Sequence, residues 1–210
     1  MIKLKSKKQE YELFNKLSDE WWNENGKFKV LHQIKPIRMS YIIKQLDSNY
    51  TNREVLDVGC GGGLISEPLS RLGCNVTGID FVGKNIQIAK KHAREKKLKI
   101  KYLCEDIEKY KFKNKFDVII IFELLEHLDD WQKFLKNITG NLKKDGKIII
   151  STINRNIISK YLAILIAENI LRWIPKNTHD FNKFIKPHEI KEFAKKRSLL
   201  FHDIKGMVLD

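Results

Sequence analysis

The sequence predicts an α/β fold: a doubly wound, mostly parallel sheet with two helices ahead of it and a helical insertion after the fifth strand. Three observations predict it. From Glu54 onward, short apolar runs alternate with helix-periodic stretches, the pattern of βαβ units whose strands are buried on both faces. The first run, Val55-Leu56-Asp57-Val58, empties into Gly59-Cys60-Gly61-Gly62-Gly63, four glycines in five residues. The second, Asn75 to Asp80, also ends in an acid, one βα unit later. At 210 residues and 42% hydrophobic content the chain suits one domain, 1–210, with a sizeable core.

Residues 7 to 22 read as an amphipathic helix with Tyr11, Phe14, Leu17 and Trp21 on one side. Asn23 to Gly26 break it, and Pro36, favoured at a first helical position, opens a second helix carrying Arg38, Tyr41, Ile42 and Leu46. The alternation then runs strand 54–58, helix 62–72 stopped by Gly73, strand 75–80, helix 84–97 and strand 99–103. Strand 116–121 is apolar around Asp117, helix 130–142 follows, and strand 146–152 is the fifth. Ile157 to Ile174 is almost wholly apolar, interrupted by Lys160, Glu168 and Arg172, too short for a bilayer span and either buried or interfacial. Basic residues flank it at Arg155, Lys176, Lys183 and Lys186. A last helix, 187–197, and a strand, 199–205, complete the reading, which divides the domain into N-terminal helices (1–50), a cofactor-binding core (54–152) and an apolar, basic-flanked segment (155–186).

The formal charge of +14 asks for an anionic partner, nucleic acid or a membrane surface, although the lysine-rich composition is equally explained by compositional drift. Met1 to Lys8 carries four lysines and no apolar run, so no signal peptide is expected and the chain is assigned to the cytosol. Cys60, Cys74 and Cys104 have neither metal nor disulfide spacing and read as small thiols.

The glycine spacing selects the ligand. A dinucleotide fingerprint needs glycine at its sixth place, and Leu64 stands there. Asp57-x-Gly59-x-Gly61-x-Gly63 instead resembles the first motif of the S-adenosylmethionine-dependent methyltransferases, which implies a Rossmann-like methyltransferase fold and that cofactor. Asp80 can take the ribose hydroxyls, in preference to merely capping the next helix. For Asp106, after the third strand, an adenine contact and a helix cap stand level.

Six segments in order resemble one family. They are Trp21-Trp22; Gly26-x-Phe28-x-x-Leu31-His32-x-Ile34-x-Pro36-x-Arg38; the glycine motif from Leu56 to Gly63; Glu123-x-Leu125-Glu126-His127; Ser151-Thr152-x-Asn154-Arg155-Asn156; and Thr178-His179-Asp180-x-x-Lys183-Phe184-Ile185. Together they are similar to the ubiquinone-biosynthesis O-methyltransferases, which methylate ring hydroxyls of polyprenylated phenol and catechol intermediates. The resemblance implies cofactor contacts at Arg38, Gly59, Asp80 and Phe122, beside Gly61 and Asp106 from the loops. It also implies a magnesium-dependent site at Glu123, Glu126 and His127. If that turn is helical the three side chains converge and can hold a divalent ion; otherwise His127 serves as a metal-free general base. The expected partners are a polyprenylated phenol or catechol, an anionic lipid surface at the inner face of the cytoplasmic membrane, and other ubiquinone-biosynthesis proteins. Phe122 departs from the methionine or small residue expected there, and the C-terminus is expected to stop short of the family's final hairpin. A nucleic-acid methyltransferase is the rival. It is disfavoured because no Asn/Asp-Pro-Pro-aromatic segment follows the fourth strand and no cysteine follows a proline, so no nucleic-acid partner is expected.

Overall fold

A computed structural model describes residues 7–47, 50–152, 154–155 and 183–207. Helix α1 (Lys7–Leu17) runs into a 3₁₀ turn at Ser18–Glu20, so the helix expected over 7–22 is split before Trp21. Helix α2 (Lys29–Gln45) begins well before Pro36, which lies inside it and not at its start. The sheet elements are β1 (Glu54–Val58), β2 (Asn75–Asp80), β3 (Lys101–Cys104), β4 (Phe116–Phe122) and β5 (Leu142–Ser151). Between them lie α3 (Ser66–Arg71), α4 (Gly83–Glu95) and α5 (Trp131–Thr139), and α6 (Pro187–Lys196) follows.

The strand order is β3-β2-β1-β4-β5 and every pairing is parallel. β1 sits at the centre because its β-branched and apolar residues alternate between two cores. Leu56 and Val58 pack with Ile79, Ile119 and Ile121 against Phe134, Leu135 and Ile138 of α5 and Phe193 of α6. Val55 packs on the other face with Val76, Val118 and Ile120 against Met39 and Ile42 of α2 and Leu69 of α3. Ile119, Ile120 and Ile121 are wholly buried, each worth roughly 1.5–3 kcal/mol of burial. A run apolar at every position is what a strand covered on both faces requires.

The strand expected over 199–205 is absent. Leu200 is 86% exposed, and residues 199–207 form neither helix nor strand. The apolar run Ile157–Ile174 and the segment Thr178–Asp180 lie outside the described residues. Among the described residues no helix is long and apolar enough to cross a membrane.

Candidate active site

A doubly wound sheet binds ligands outside the carboxyl ends of its strands, where the strand order reverses. Here the reversal falls between β1 and β4, adjacent in the sheet though two strands apart in the chain. The loops leaving these strands meet at Gly59 and Leu124. A Cβ on Gly59 would lie 3.4 Å from Leu124 Cδ1, with the backbone at φ +71°.

The glycine loop is held by its neighbours. Gly59 and Cys60 both donate to the Ile79 carbonyl, at 2.8 and 3.1 Å, and Gly61 N–H donates to Asp80 Oδ2 at 3.0 Å. Gly61 has φ +52°, and a Cβ there would fall inside the Trp21 indole. That indole stacks on Phe28 with ring centroids 4.0 Å apart and donates from Nε1 to Asn85 Oδ1 at 2.7 Å. Trp22 donates to the Gly62 carbonyl at 3.0 Å and stacks on His92. The chain ahead of the sheet thus forms one wall of the loop.

Asp80 is held among donors from its own loop and the next helix. Besides Gly61 it accepts from Val82 N–H at 2.8 Å and Asn85 Nδ2 at 3.3 Å, fixing the entry to α4. A carboxylate offers about four lone-pair directions, so one is left for a ligand. Burial raises its pKa, while the Val82 and Gly61 amides pull it back. Asp57 lies deeper, beneath the loop in β1. Only 4% exposed, it accepts from Ser66 Oγ at 2.6 Å. Burial pushes its carboxyl up to about 6, against that hydrogen bond.

Arg38 reaches the same edge from α2. Its Nη2 donates to Glu123 Oε1 at 2.6 Å, and its guanidinium lies over the Phe122 ring, 5.0 Å from the centroid. Ser151 Oγ donates to the same Glu123 oxygen at 2.8 Å. Arg38 is 8% exposed, and its Nε is buried with no hydrogen-bond partner among the described residues. Burial lowers the guanidinium pKa, with Glu123 and Glu126 opposing. An arginine short of one acceptor at the mouth of the crevice fits an anionic ligand group.

The convergence expected of Glu123, Glu126 and His127 is corrected. Leu125–His127 is a 3₁₀ turn, and Glu123 stands outside it at φ +48°. Each side chain has its own partner. Glu123 takes Arg38, the buried Glu126 accepts from Thr152 Oγ1 at 3.3 Å, and His127 Nδ1 lies 2.9 Å from Glu10 Oε1 on α1. No group of three such donors among the described residues is placed to hold a metal ion, so these residues as arranged do not fit one. Burial alone would lower the His127 pKa, but Glu10, with Glu126 and Glu123 behind it, raises it above the ordinary histidine value.

Asp106 opens a turn and caps no helix. Its Oδ1 accepts from Glu108 N–H at 3.1 Å, and Lys7 Nζ meets both its oxygens at 2.7 Å. Despite partial burial, these contacts hold its pKa below the usual carboxylate value. Sequence reasoning missed Glu10, Asn85 and Ser66. Glu10 lies 117 residues from His127 and carries no local signal. Ser66 was discoverable, since an acid inside an otherwise apolar strand needs a donor.

The chain is similar to known proteins over nearly all its length. A methyltransferase-domain family model matches residues 56–150. A ubiquinone biosynthesis O-methyltransferase from Rickettsia felis is 45% identical over 206 residues, spanning 97% of this chain and 84% of that protein. The protein of the same name from Pelagibacter ubique is 46% identical over 209 residues, spanning 95% and 87%. Among solved structures, magnesium protoporphyrin IX methyltransferase from Synechocystis PCC 6803 with bound SAH superposes with a TM-score of 0.70. It has 20% identity and covers 91% of this chain and 88% of that one, a likeness of fold.

Proposed function

The chain belongs to the ubiquinone biosynthesis O-methyltransferases, and on that premise we propose that it methylates a ring hydroxyl of a polyprenylated phenol or catechol. The observation that carries the reading is the meeting, at one sheet edge, of the Gly59–Gly63 loop, Asp80 and His127. S-adenosylmethionine supplies a methyl group already activated on a sulfonium, so the chain's task is to hold a phenolic oxygen in line and relieve it of its proton. Asp80 holds the ribose through its remaining lone pair. Arg38 holds the cofactor carboxylate, and Gly59 and Gly61 let the backbone come close. Phe122 lies along the adenosyl group and Asp106 flanks it. His127 Nε2 receives the phenolic proton. Because Glu123, Glu126 and His127 are turned to separate partners, no step is assigned to a metal. Glu123 acts through Arg38, and Glu126 supplies negative charge beside the imidazole.

The 155–186 segment is the proposed contact with anionic lipid and the entry for the prenyl tail, which would place the enzyme peripherally on the inner face of the cytoplasmic membrane near other enzymes of the pathway. What supports this is the apolar run Ile157–Ile174 with basic residues at both ends.

Incubation with labelled cofactor and a panel of catechols, short-tail prenylphenols and RNA tests the function. Label on the prenylated phenols alone is expected, with loss in His127→Ala. Label on RNA, or full activity in His127→Ala, overturns it. Chelation followed by magnesium titration, read on methyl transfer, tests whether an ion takes part. Liposome flotation is expected to favour anionic vesicles, and the preference to fall when Lys176, Lys183 and Lys186 become glutamine.

A further inference from the structure

We propose that Glu10 is a positioning residue for His127, fixing the tautomer and orientation in which the imidazole takes the substrate proton. The inference rests on the methyl-transfer reading above. Helix α1 lies across the loops that leave three successive strands. Tyr11 packs on Phe81 after β2 with ring centroids 6.0 Å apart, Lys7 holds Asp106 and Glu108 after β3, and Glu10 meets His127 after β4.

The chemistry of that last contact is directional. An ionised carboxylate only accepts, so at 2.9 Å the Nδ1 of His127 must be the donor. The proton held there leaves Nε2 as the nitrogen free to act as base, the same division of labour by which a buried acid orients a catalytic histidine. The pair is sheltered yet reachable. The Glu10 side chain is 17% exposed and that of His127 29%, so the contact is largely screened from water while part of the ring stays accessible. The other charged groups nearest the ring are Glu126 and Glu123, and neither is hydrogen-bonded to it. The docking of α1 alone does not require this contact, since Tyr11 and Lys7 already tie the helix down.

The test compares Glu10→Ala, Glu10→Asp and Tyr11→Ala, the last loosening α1 without touching His127. Methyl transfer to a short-tail prenylated catechol is followed across pH, and cofactor affinity is measured by calorimetry. Glu10→Ala is expected to lower kcat at least ~10-fold, part of the ~10²–10⁴-fold that general-base catalysis contributes, since the imidazole itself remains. Its cofactor Kd is expected to hold, and the acid limb of its kcat profile to move to lower pH as the anion beside the imidazole is lost. Glu10→Asp is expected to recover part of the rate and Tyr11→Ala to keep it. Nitrogen-15 spectra of the imidazole, taken without substrate, are expected to show Nδ1–H in the parent protein and a mixture of tautomers in Glu10→Ala. An unchanged kcat or acid limb in Glu10→Ala, an equal loss in Tyr11→Ala, or an unchanged tautomer overturns the proposal. If the parent protein methylates no phenol, the functional reading falls, and the spectra still decide whether Glu10 sets the tautomer.

Discussion

Arg38 Nη2 stands 2.6 Å from Glu123 Oε1, so the arginine of α2 and the acid just past β4 neutralise each other across the crevice. Glu123 makes this contact from a left-handed backbone, φ +48°, which costs a non-glycine residue about 1–3 kcal/mol. Glycine would relieve that strain but strand the guanidinium. Removing one partner of a buried pair costs ~3–5 kcal/mol, discounted here because the Glu123 side chain is 33% exposed. The lost partner still outweighs the relieved strain. Glu123→Gly is therefore expected to be less stable by about 1–2 kcal/mol in urea melts; a variant as stable as its parent would mean that water, not Glu123, satisfies Arg38.

Asp57 predicts a pH dependence. Its folded pKa, about 6, lies above the ordinary carboxylate value, so the folded state keeps its proton longer than the unfolded chain does. Its contribution is favourable at low pH and is lost as pH rises toward 6. Two pKa units correspond to about 3 kcal/mol. Between about pH 4 and about pH 7 the parent protein should lose roughly that much stability relative to Asp57→Asn, with other titrations cancelling in the comparison. Parallel curves for the two proteins would show that Asp57 is solvated.

Asp80→Ala should fail in two measurements at once. Cofactor affinity should fall through the lost ribose contact, each charge-assisted hydrogen bond being worth ~1.5–3 kcal/mol. Thermal stability should fall too, because the Gly61 and Val82 amides lose their acceptor. Asp80→Asn retains an oxygen and should recover more stability than affinity. Weakened binding with an unchanged melting temperature would contradict the bracket drawn between the loop and α4.

Gly61→Ala is expected to destabilise by more than ~1 kcal/mol, since φ +52° and the Trp21 indole both oppose a Cβ. Removing the indole removes one of the two objections. In the double variant Trp21→Ala/Gly61→Ala the two losses should sum to less than their separate values. Strict additivity in melts would mean that the indole does not bear on the loop.

The sheet was legible because its signal is local. Val55–Val58, Asn75–Asp80 and Phe116–Ile121 each announce a strand covered on both faces, and the glycines after Val58 mark the turn that must follow. Two errors came from trusting a residue's usual place. Pro36 reads as a helix start, but α2 gains enough from burying Ile34, Met39 and Ile42 to carry a proline in its interior. Leu199–Lys205 reads as a strand but joins neither edge of the described sheet, and sequence periodicity does not say whether a segment will pair. The site was half legible for the same reason. Gly59, Gly61 and Asp80 declare themselves by spacing, whereas Arg38 with Glu123 and Glu10 with His127 are pairings made by the tertiary fold between side chains far apart in sequence.

The contacts by which helix α1 crosses the crevice, Tyr11 to Phe81, Lys7 to Asp106 and Glu10 to His127, all reach residues that come after β2, whereas its apolar residues Leu13, Phe14 and Leu17 pack with Phe28, Leu64 and Ile88. During synthesis the Lys7 and Glu10 contacts must wait roughly a hundred residues for their partners, about 5–20 s at ~5–20 residues per second. The βαβ core can form without them. Closure of the crevice by the polar end of α1 is therefore expected as a late event.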